Sequence, residues 1–307
     1  MRYSKERSGA EMNKKHKFEI SKIILHMILI VMSLGFLIPF LYVISISFSD
    51  EATVIETGYK LIPPKFSIEA YRYVFANPQK LLWAYRTTII QAAAATVLSL
   101  LLMSMLAYPL SRKEYKYKNA LSLFVYFTTL FSGGMVPIYI LNTQYLHLDN
   151  TIWIYIIPGL VNAFYVIVIR TFFQGLPSSL MESARIDGCH EIRTLFQIVL
   201  PLSKPVLATV GLMTLLAHWN VWNTTLLYIR DEELYSLQYL LQRILRDANF
   251  ISQMAEQMPS GIDLNVKVPS ESMRFAMCVV AAGPMLVVFP FFQKYFASGL
   301  TVGAVKG

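Results

Sequence analysis

A chain of 307 residues that is 55% hydrophobic and only 15% charged, with a mean hydropathy of +0.47, has too little polar surface to cover itself in water; a soluble domain carries about 25% charged residues. The net charge of +8 would suit nucleic acid, but the basic residues flank apolar segments, where they anchor a membrane protein, so no nucleic-acid partner is expected. Two cysteines, Cys189 and Cys278, make neither a disulfide framework nor a zinc set and are expected as free thiols.

A spanning helix needs about 20 mostly apolar residues. Six segments qualify: 23–48, 87–110, 119–141, 151–173, 204–229 and 275–296. Residues 1–22 read as a basic tail and 23–48 as a first span, since that apolar run exceeds the about 7–15 residues of a cleaved signal. The segment 49–86 lies outside the bilayer, with Ile62-Pro63-Pro64 followed by a short helix from Ser67 to Phe75 that Asn77-Pro78 stops. Residues 87–296 form a core of five further spans around a loop at 174–203, and 297–307 form a second tail. Three spans carry breakers: Gly133, Gly134 and Pro137; Pro158 and Gly159; Gly283 and Pro284. Breakers are tolerated where neighbours or water satisfy the freed backbone, which fits a bundle around a cavity or a packed bundle of kinked helices. In the outer segment 230–274, Leu234, Leu237, Leu240, Leu241, Ile244 and Leu245 recur at helical spacing. Residues 250–273 show no periodicity and read as a loop.

Lys and Arg counts set the orientation. With the N-terminus inside, cytoplasmic segments carry 17 basic residues and outer ones 10. The short loop 111–118 holds Arg112, Lys113, Lys116 and Lys118, whereas 142–150 holds none. Both termini are therefore expected in the cytoplasm. Trp83, Trp153, Tyr155 and Tyr295 stand near span ends as interface aromatics do.

The loop 174–203 carries the strongest pattern. Ser179 and Glu182 have capping-box spacing, which starts a helix at Leu180, and Gly188 stands where a left-handed residue would end it. Ile192, Leu195, Phe196 and Val199 then make one apolar stripe on a second helix, which Leu200-Pro201 breaks. Two helices and a sharp turn joined to two spans make a lever that a soluble partner could move. Asp187, His190 and Glu191 read as solvated charges rather than metal ligands.

Glu182-Ser183-Ala184, three residues, Gly188, nine residues and Ile198-Val199-Leu200-Pro201 resemble the EAA motif of ABC-importer permeases, E-A-A-x3-G-x9-I-x-L-P. Ser183 departs from the usual alanine but is also small. The resemblance implies an all-α integral membrane protein with six transmembrane helices, the type I importer permease fold and a cytoplasmic coupling helix. Glu182, Ser183, Ala184, Asp187, Gly188 and Pro201 would form the ATPase-coupling set: Glu182 facing the ATPase (or only completing the capping box), Ala184 allowing close approach and Gly188 making the turn. The ending Phe292-Gln293-Lys294-Tyr295-Phe296 through Gly299-Leu300-Thr301 to Gly307 is similar to that of the smaller, maltose-type permeases of carbohydrate importers, whose tail follows the ATPase interface. The stretch Tyr235–Leu245, with Tyr239 and Arg243, is similar to the outer helix of the oligosaccharide types. The resemblance spans residues 20–307. It implies a homologous second permease subunit, two ATPase subunits, an external sugar-binding protein, membrane lipid around the spans and a sugar cargo. ATP and Mg would be bound by the partner ATPase, since no Gly-x4-Gly-Lys-Ser/Thr loop is present here and no cofactor or metal site is expected in this chain.

The fifth span holds a candidate substrate path, Trp219, Asn220, Trp222 and Asn223, at roughly 20–28 Å from Pro205 on a continuous helix. Trp219, Trp222 and Asn223 would share a face, and aromatic faces with amides suit sugar rings; helix packing or interface anchoring uses the same residues. Two other function classes fit the sequence less well. An ion-coupled secondary transporter would place ionisable groups in mid-span, and these are almost absent. A membrane-embedded hydrolase would need a catalytic set that His218 alone does not supply.

Overall fold

The computed structural model describes residues 2–257 and 270–304. In chain order the helices are α1 (Arg2–Ser47), α2 (Glu51–Thr57), α3 (Glu69–Val74), α4 (Pro78–Ser111), α5 (Lys118–Leu130) and α6 (Met135–Ile140), which a π turn Leu141–Tyr145 continues. Next come α7 (Trp153–Ile156) with a 3-10 turn Ile157–Gly159, α8 (Ala163–Gln174), α9 (Ser178–Ile186), α10 (Glu191–Thr194) with a π turn Leu195–Val199, and α11 (Leu200–Leu202). The last are α12 (Lys204–Trp219), α13 (Asn223–Tyr228), α14 (Leu237–Gln257) and α15 (Ser270–Ala304). Among the described residues the only extended pairing is an isolated bridge between Ser49 and Phe66.

Three stretches, Lys22–Ser47, Pro78–Ser111 and Glu271–Gln293, are each long and apolar enough to cross a membrane. Three bent pairs bring the number to six if each is one span: Lys118–Leu130 with Met135–Tyr145 at 110°, Trp153–Gly159 with Ala163–Gln174 at 55°, and Glu191–Leu202 with Lys204–Trp219 at 83°. The first bend falls on the glycines singled out above, with Gly134 at φ +86°, a backbone conformation that favours glycine. The second follows the Pro158-Gly159 turn, and Asn162 then caps α8 by accepting from the Phe164 and Tyr165 amides at 3.0 and 3.3 Å.

Several expectations need correction. Gly283 and Pro284 break nothing: α15 runs through them unbroken. The segment 204–229 is not one helix, because α12 stops at Trp219 and α13 starts at Asn223. α4 begins at Pro78, well before residue 87, where Asn77 accepts from the Lys80 amide at 3.3 Å and proline takes the first turn. Asn77-Pro78 is thus a helix start as well as a stop. Residues 2–22 belong to α1, which runs on into the first span. Of the expected loop 250–273, residues 250–257 belong to α14 and 270–273 to α15; residues 258–269 lie outside the described residues, as do Val305–Gly307 of the tail.

Two compact units make up the chain: residues 1–74 with 248–279, and residues 75–247 with 280–307. In the first, Phe48 stacks on Phe66 with ring centroids 5.6 Å apart, and the Glu51 carboxylate accepts from the Glu271 and Ser272 amides, both at 2.8 Å, and from the Ser272 hydroxyl at 2.7 Å. An acid there satisfies orphan donors at the N-terminus of α15 and suits its dipole.

In the second unit α4 is the axis: its widest contacts are with α12 and α8. Its buried face is small and polar, with Thr87, Thr88, Gln91, Ala92, Ala95, Ser99, Ser104 and Ala107 all at or below 1% exposure. Close backbone approach through small residues drives helix association in a bilayer. The polar ones also satisfy the groups that helix breaks orphan. Thr87 donates to the Glu233 carbonyl at 3.0 Å, the Leu237 amide at the start of α14 donates to the Thr88 hydroxyl at 2.8 Å, and the Gln91 amide donates to the His218 carbonyl at 2.6 Å near the end of α12.

Candidate functional site

The loop between α8 and α12 is the two-helix element expected from the sequence, built differently at both ends. α9 starts at Ser178, with Pro177 before it and no side-chain cap, so the capping box of Ser179 and Glu182 does not form. Gly188 does make the turn. It sits at φ +69°, the Gly188 amide reaches the Arg185 carbonyl at 3.0 Å, and the Cys189 amide reaches the Ala184 carbonyl at 2.9 Å. These are the two hydrogen bonds of a Schellman ending, which closes the last carbonyls of a helix around a left-handed residue. Cys189 is partly buried beside it and is a free thiol, as is Cys278.

Pro201 does not end the second helix. It lies inside α11, and the break falls at Ser203. A proline offers no amide to the carbonyl four residues back and crowds it. The π turn Leu195–Val199 just before it takes up that mismatch. The π turn also splits the expected stripe. Leu195 and Val199 are buried at 4% and 1%, whereas Ile192 and Phe196 stand out at 72% and 43%.

The residues of the motif fall into two groups. Met181 and Ala184 face inward, at 8% and 3% exposure, and Met181, Leu195 and Val199 join a core with Ala107, Tyr108, Leu110 and Phe173. Glu182, Ser183, Asp187 and Gly188 are exposed, and so is Pro201. Ile186, one residue before Asp187, is 86% exposed. A large apolar side chain at the tip of a loop is unusual in a segment this polar.

Glu191 is exposed, as a solvated charge would be, but it also has two partners that the sequence did not reveal. One carboxylate oxygen accepts from the Tyr108 hydroxyl on the last turn of α4, and the other pairs with Arg185 on α9 at 3.3 Å. Arg185 also lies 3.8 Å from Glu114, which lies 3.9 Å from Arg112, and the Arg112 guanidinium sits over the Tyr108 ring at 5.6 Å. A hydrogen bond from its own backbone, with help from Arg112 and Arg185 against desolvation, holds the Glu114 carboxyl below the usual range. The same residues line a groove of about 410 Å³ that opens beside Ile192 and Phe196. Alternation of charge at 112, 114, 185 and 191 was visible in the sequence; that it converges was not, because the partners are distant along the chain.

The candidate cargo residues are dispersed by the break after α12. Trp219 is 3% exposed, and its indole donates to the Ala281 carbonyl at 3.0 Å. Asn220 leaves the helix; its amide nitrogen donates to the Leu216 carbonyl at 2.9 Å and its oxygen accepts from Gln238 at 3.1 Å. Trp222 is 41% exposed at the start of α13, and the Asn223 oxygen accepts from the Thr224 amide at 2.9 Å. The expected shared helical face therefore does not exist, and only Asn220, Trp222 and Asn223 are open at the surface. Behind them lies a hydroxyl network the sequence did not reveal. Tyr155 bonds to Thr225 at 2.7 Å and to the Leu234 carbonyl at 2.9 Å, and Ser236 bonds to Thr225 at 2.8 Å and to the Val221 carbonyl at 2.7 Å. All three hydroxyls satisfy each other and the broken backbone, as membrane burial demands.

With this geometry in view, comparison with known proteins defines the class. The sequence pattern of the family described as "Binding-protein-dependent transport system inner membrane component" matches residues 12–302. The chain belongs to that family: it is a permease subunit of a membrane ABC importer. It is 39% identical over 282 residues to the polygalacturonan/rhamnogalacturonan transport system permease protein YtcP of Bacillus subtilis (strain 168), covering 91% of this chain and 96% of that protein. It is also 39% identical over 271 residues to Protein LplC of the same organism, covering 88% and 90%. A solved bacterial ABC transporter involved in the import of the acidic polysaccharide alginate superposes with a TM-score of 0.73 at 28% identity, over 91% of this chain and 97% of that one.

Proposed function

We propose that this permease imports oligosaccharides, with both termini cytoplasmic, and that its α9–α11 loop is the point at which an ATPase subunit drives it. The carrying observation is the outward set at that loop. Glu182, Asp187, Ile186 and Ile192 project from a Schellman-locked turn, while Met181, Ala184, Leu195 and Val199 root the same loop in the core. A rooted lever with exposed apolar knobs fits a docking element, since contiguous apolar exposure on a polar loop marks a contact surface.

The chain carries no chemistry of its own in this reading. It lacks a phosphate-binding Gly-x4-Gly-Lys-Ser/Thr loop, so ATP and Mg belong to two partner ATPase subunits, and a homologous second permease supplies the opposite wall of the cavity. An external binding protein delivers the sugar. Asn220, Trp222 and Asn223 line the outer vestibule, and buried Trp219 ties the end of α12 to α15 through the Ala281 carbonyl. One relative is named for polygalacturonan/rhamnogalacturonan transport and a solved one is involved in the import of the acidic polysaccharide alginate, so oligogalacturonides are the cargo to try first.

Recovery of a partner tests the reading. A tagged chain purified from native membranes should bring down a protein with a Gly-x4-Gly-Lys-Ser/Thr loop, and Gly188→Val, a β-branched residue that the left-handed turn does not accept, should lose it. Equal recovery with both would overturn the docking assignment.

A further inference from the structure

Motion imposed on the loop has two ways into the membrane. One is the backbone from α10 through α11 to α12. That route contains a π turn at Leu195–Val199 and an 83° bend at Ser203, and Ser203 is fully buried with a hydroxyl that finds no partner. A helix interrupted twice within ten residues or so transmits push and pull poorly. The other route is through side chains. Glu191 opens α10 and spends both carboxylate oxygens on bridging: one to Tyr108 at the end of α4, one to Arg185 at the end of α9. The Tyr108 ring is 7% exposed and set in the core, with Arg112 over it. α4 in turn packs along both α8 and α12, so a displacement of its end reaches the whole second unit.

We propose that Tyr108 and Glu191 form a clasp that carries motion of the coupling loop to α4, making both positioning residues for transport. The proposal rests on the importer reading. Without the clasp the loop still docks and ATP is still hydrolysed, but α4 follows imperfectly and hydrolysis runs partly idle.

The test uses the whole transporter in vesicles: this chain with its partner permease, ATPase subunits and binding protein. Uptake of labelled oligogalacturonides and ATP hydrolysis are measured together. Tyr108→Phe keeps the ring and removes the donor. Cargo moved per ATP should fall about tenfold, the size of one hydrogen bond to a charged group, with hydrolysis and the KM for uptake within about twofold. Glu191→Gln keeps an acceptor for Tyr108 and should lose less. Combining the two should lose less than the product of the single losses, because they share one bond. An unchanged ratio in Tyr108→Phe overturns the clasp, and so does a parallel loss of hydrolysis and uptake, which would mark a merely structural pair. Should Tyr108→Phe fail to accumulate in membranes, Glu191→Leu, which removes the acceptor, takes its place, and an unchanged ratio there overturns the clasp equally. Wild-type vesicles that show no ATP-dependent uptake of this probe count against the importer or cargo reading, whereas wild-type uptake with an unchanged ratio in Tyr108→Phe counts against the clasp alone.

Discussion

α1 and α4 look alike by hydropathy and differ in what they do. The most apolar stretch of α1 has a mean hydropathy of 2.6 with none of it buried, whereas that of α4 has 2.1 with 39% buried. The difference lies in residue size and polarity. From Ile23 to Leu41, α1 presents Ile, Leu, Met, Val and Phe on all sides, surface suited to lipid or to another subunit. α4 keeps such residues for its outer face and turns Thr, Ser, Gln and Ala inward. In a bilayer large apolar side chains gain little by leaving lipid, so small and polar ones mark the protein-facing stripe. Hydropathy finds a span; its polar minority finds the core.

The sharpest way to break that comparison is to enlarge a small residue on each helix. Ala95→Leu on α4, at 0% exposure, should cost about 1–3 kcal/mol by overpacking and lower the amount of folded chain recovered in detergent. Gly35→Leu on α1, where an added carbon meets nothing within 4 Å, should leave the isolated chain's melting temperature unchanged. If it disrupts the assembled complex instead, α1 faces another subunit rather than lipid. Thr88→Val on α4 is next in size. It leaves the buried Leu237 amide without its acceptor, a loss of about 1–3 kcal/mol that thermal unfolding should detect, while Thr→Val at an α1 counterpart does not exist to be made.

Gly188 gives a smaller effect with a clear order. Its surroundings are open, so only the backbone objects. Gly188→Ala should cost about 1–2 kcal/mol and Gly188→Asn less, since asparagine visits the left-handed region more readily. ATPase recovery should follow that order. The smallest effect is electrostatic. Glu232, outside the spans, is held below its usual range chiefly by a hydrogen bond from Lys80, with Arg243 adding its charge. A carboxyl whose folded value is lowered stabilises fully above its ordinary value of about 4.3 and loses that contribution as pH falls through the folded value. The gap in melting temperature between wild type and Lys80→Met should therefore be present at pH 7 and shrink below about pH 4; exposure of both groups keeps it small.

The sequence carried the periodic and the local. The apolar segments 23–48, 87–110 and 275–296, the turn at Gly188 and the breakers at Gly134 and Pro158 are all short-range patterns, and each shows in the fold. The junction at 219–223 misled, because composition favoured one long helix while Tyr155, Thr225 and Ser236, distant or hidden in ordinary-looking runs, satisfy a broken one. Pro201 misled for the related reason that a π turn absorbs a proline without ending the helix. The Glu191 clasp was out of reach, since nothing local ties residue 191 to residue 108.

The central claim is that an ATPase docks on the exposed tip of the α9–α11 loop. A photoreactive amino acid at Ile186, 86% exposed, tests it most directly in the assembled complex in native membranes. Irradiation should join this chain to a protein carrying the nucleotide-binding Gly-x4-Gly-Lys-Ser/Thr loop. Capture of the external binding protein, or no product beyond that of the same probe at exposed Phe36, would contradict it.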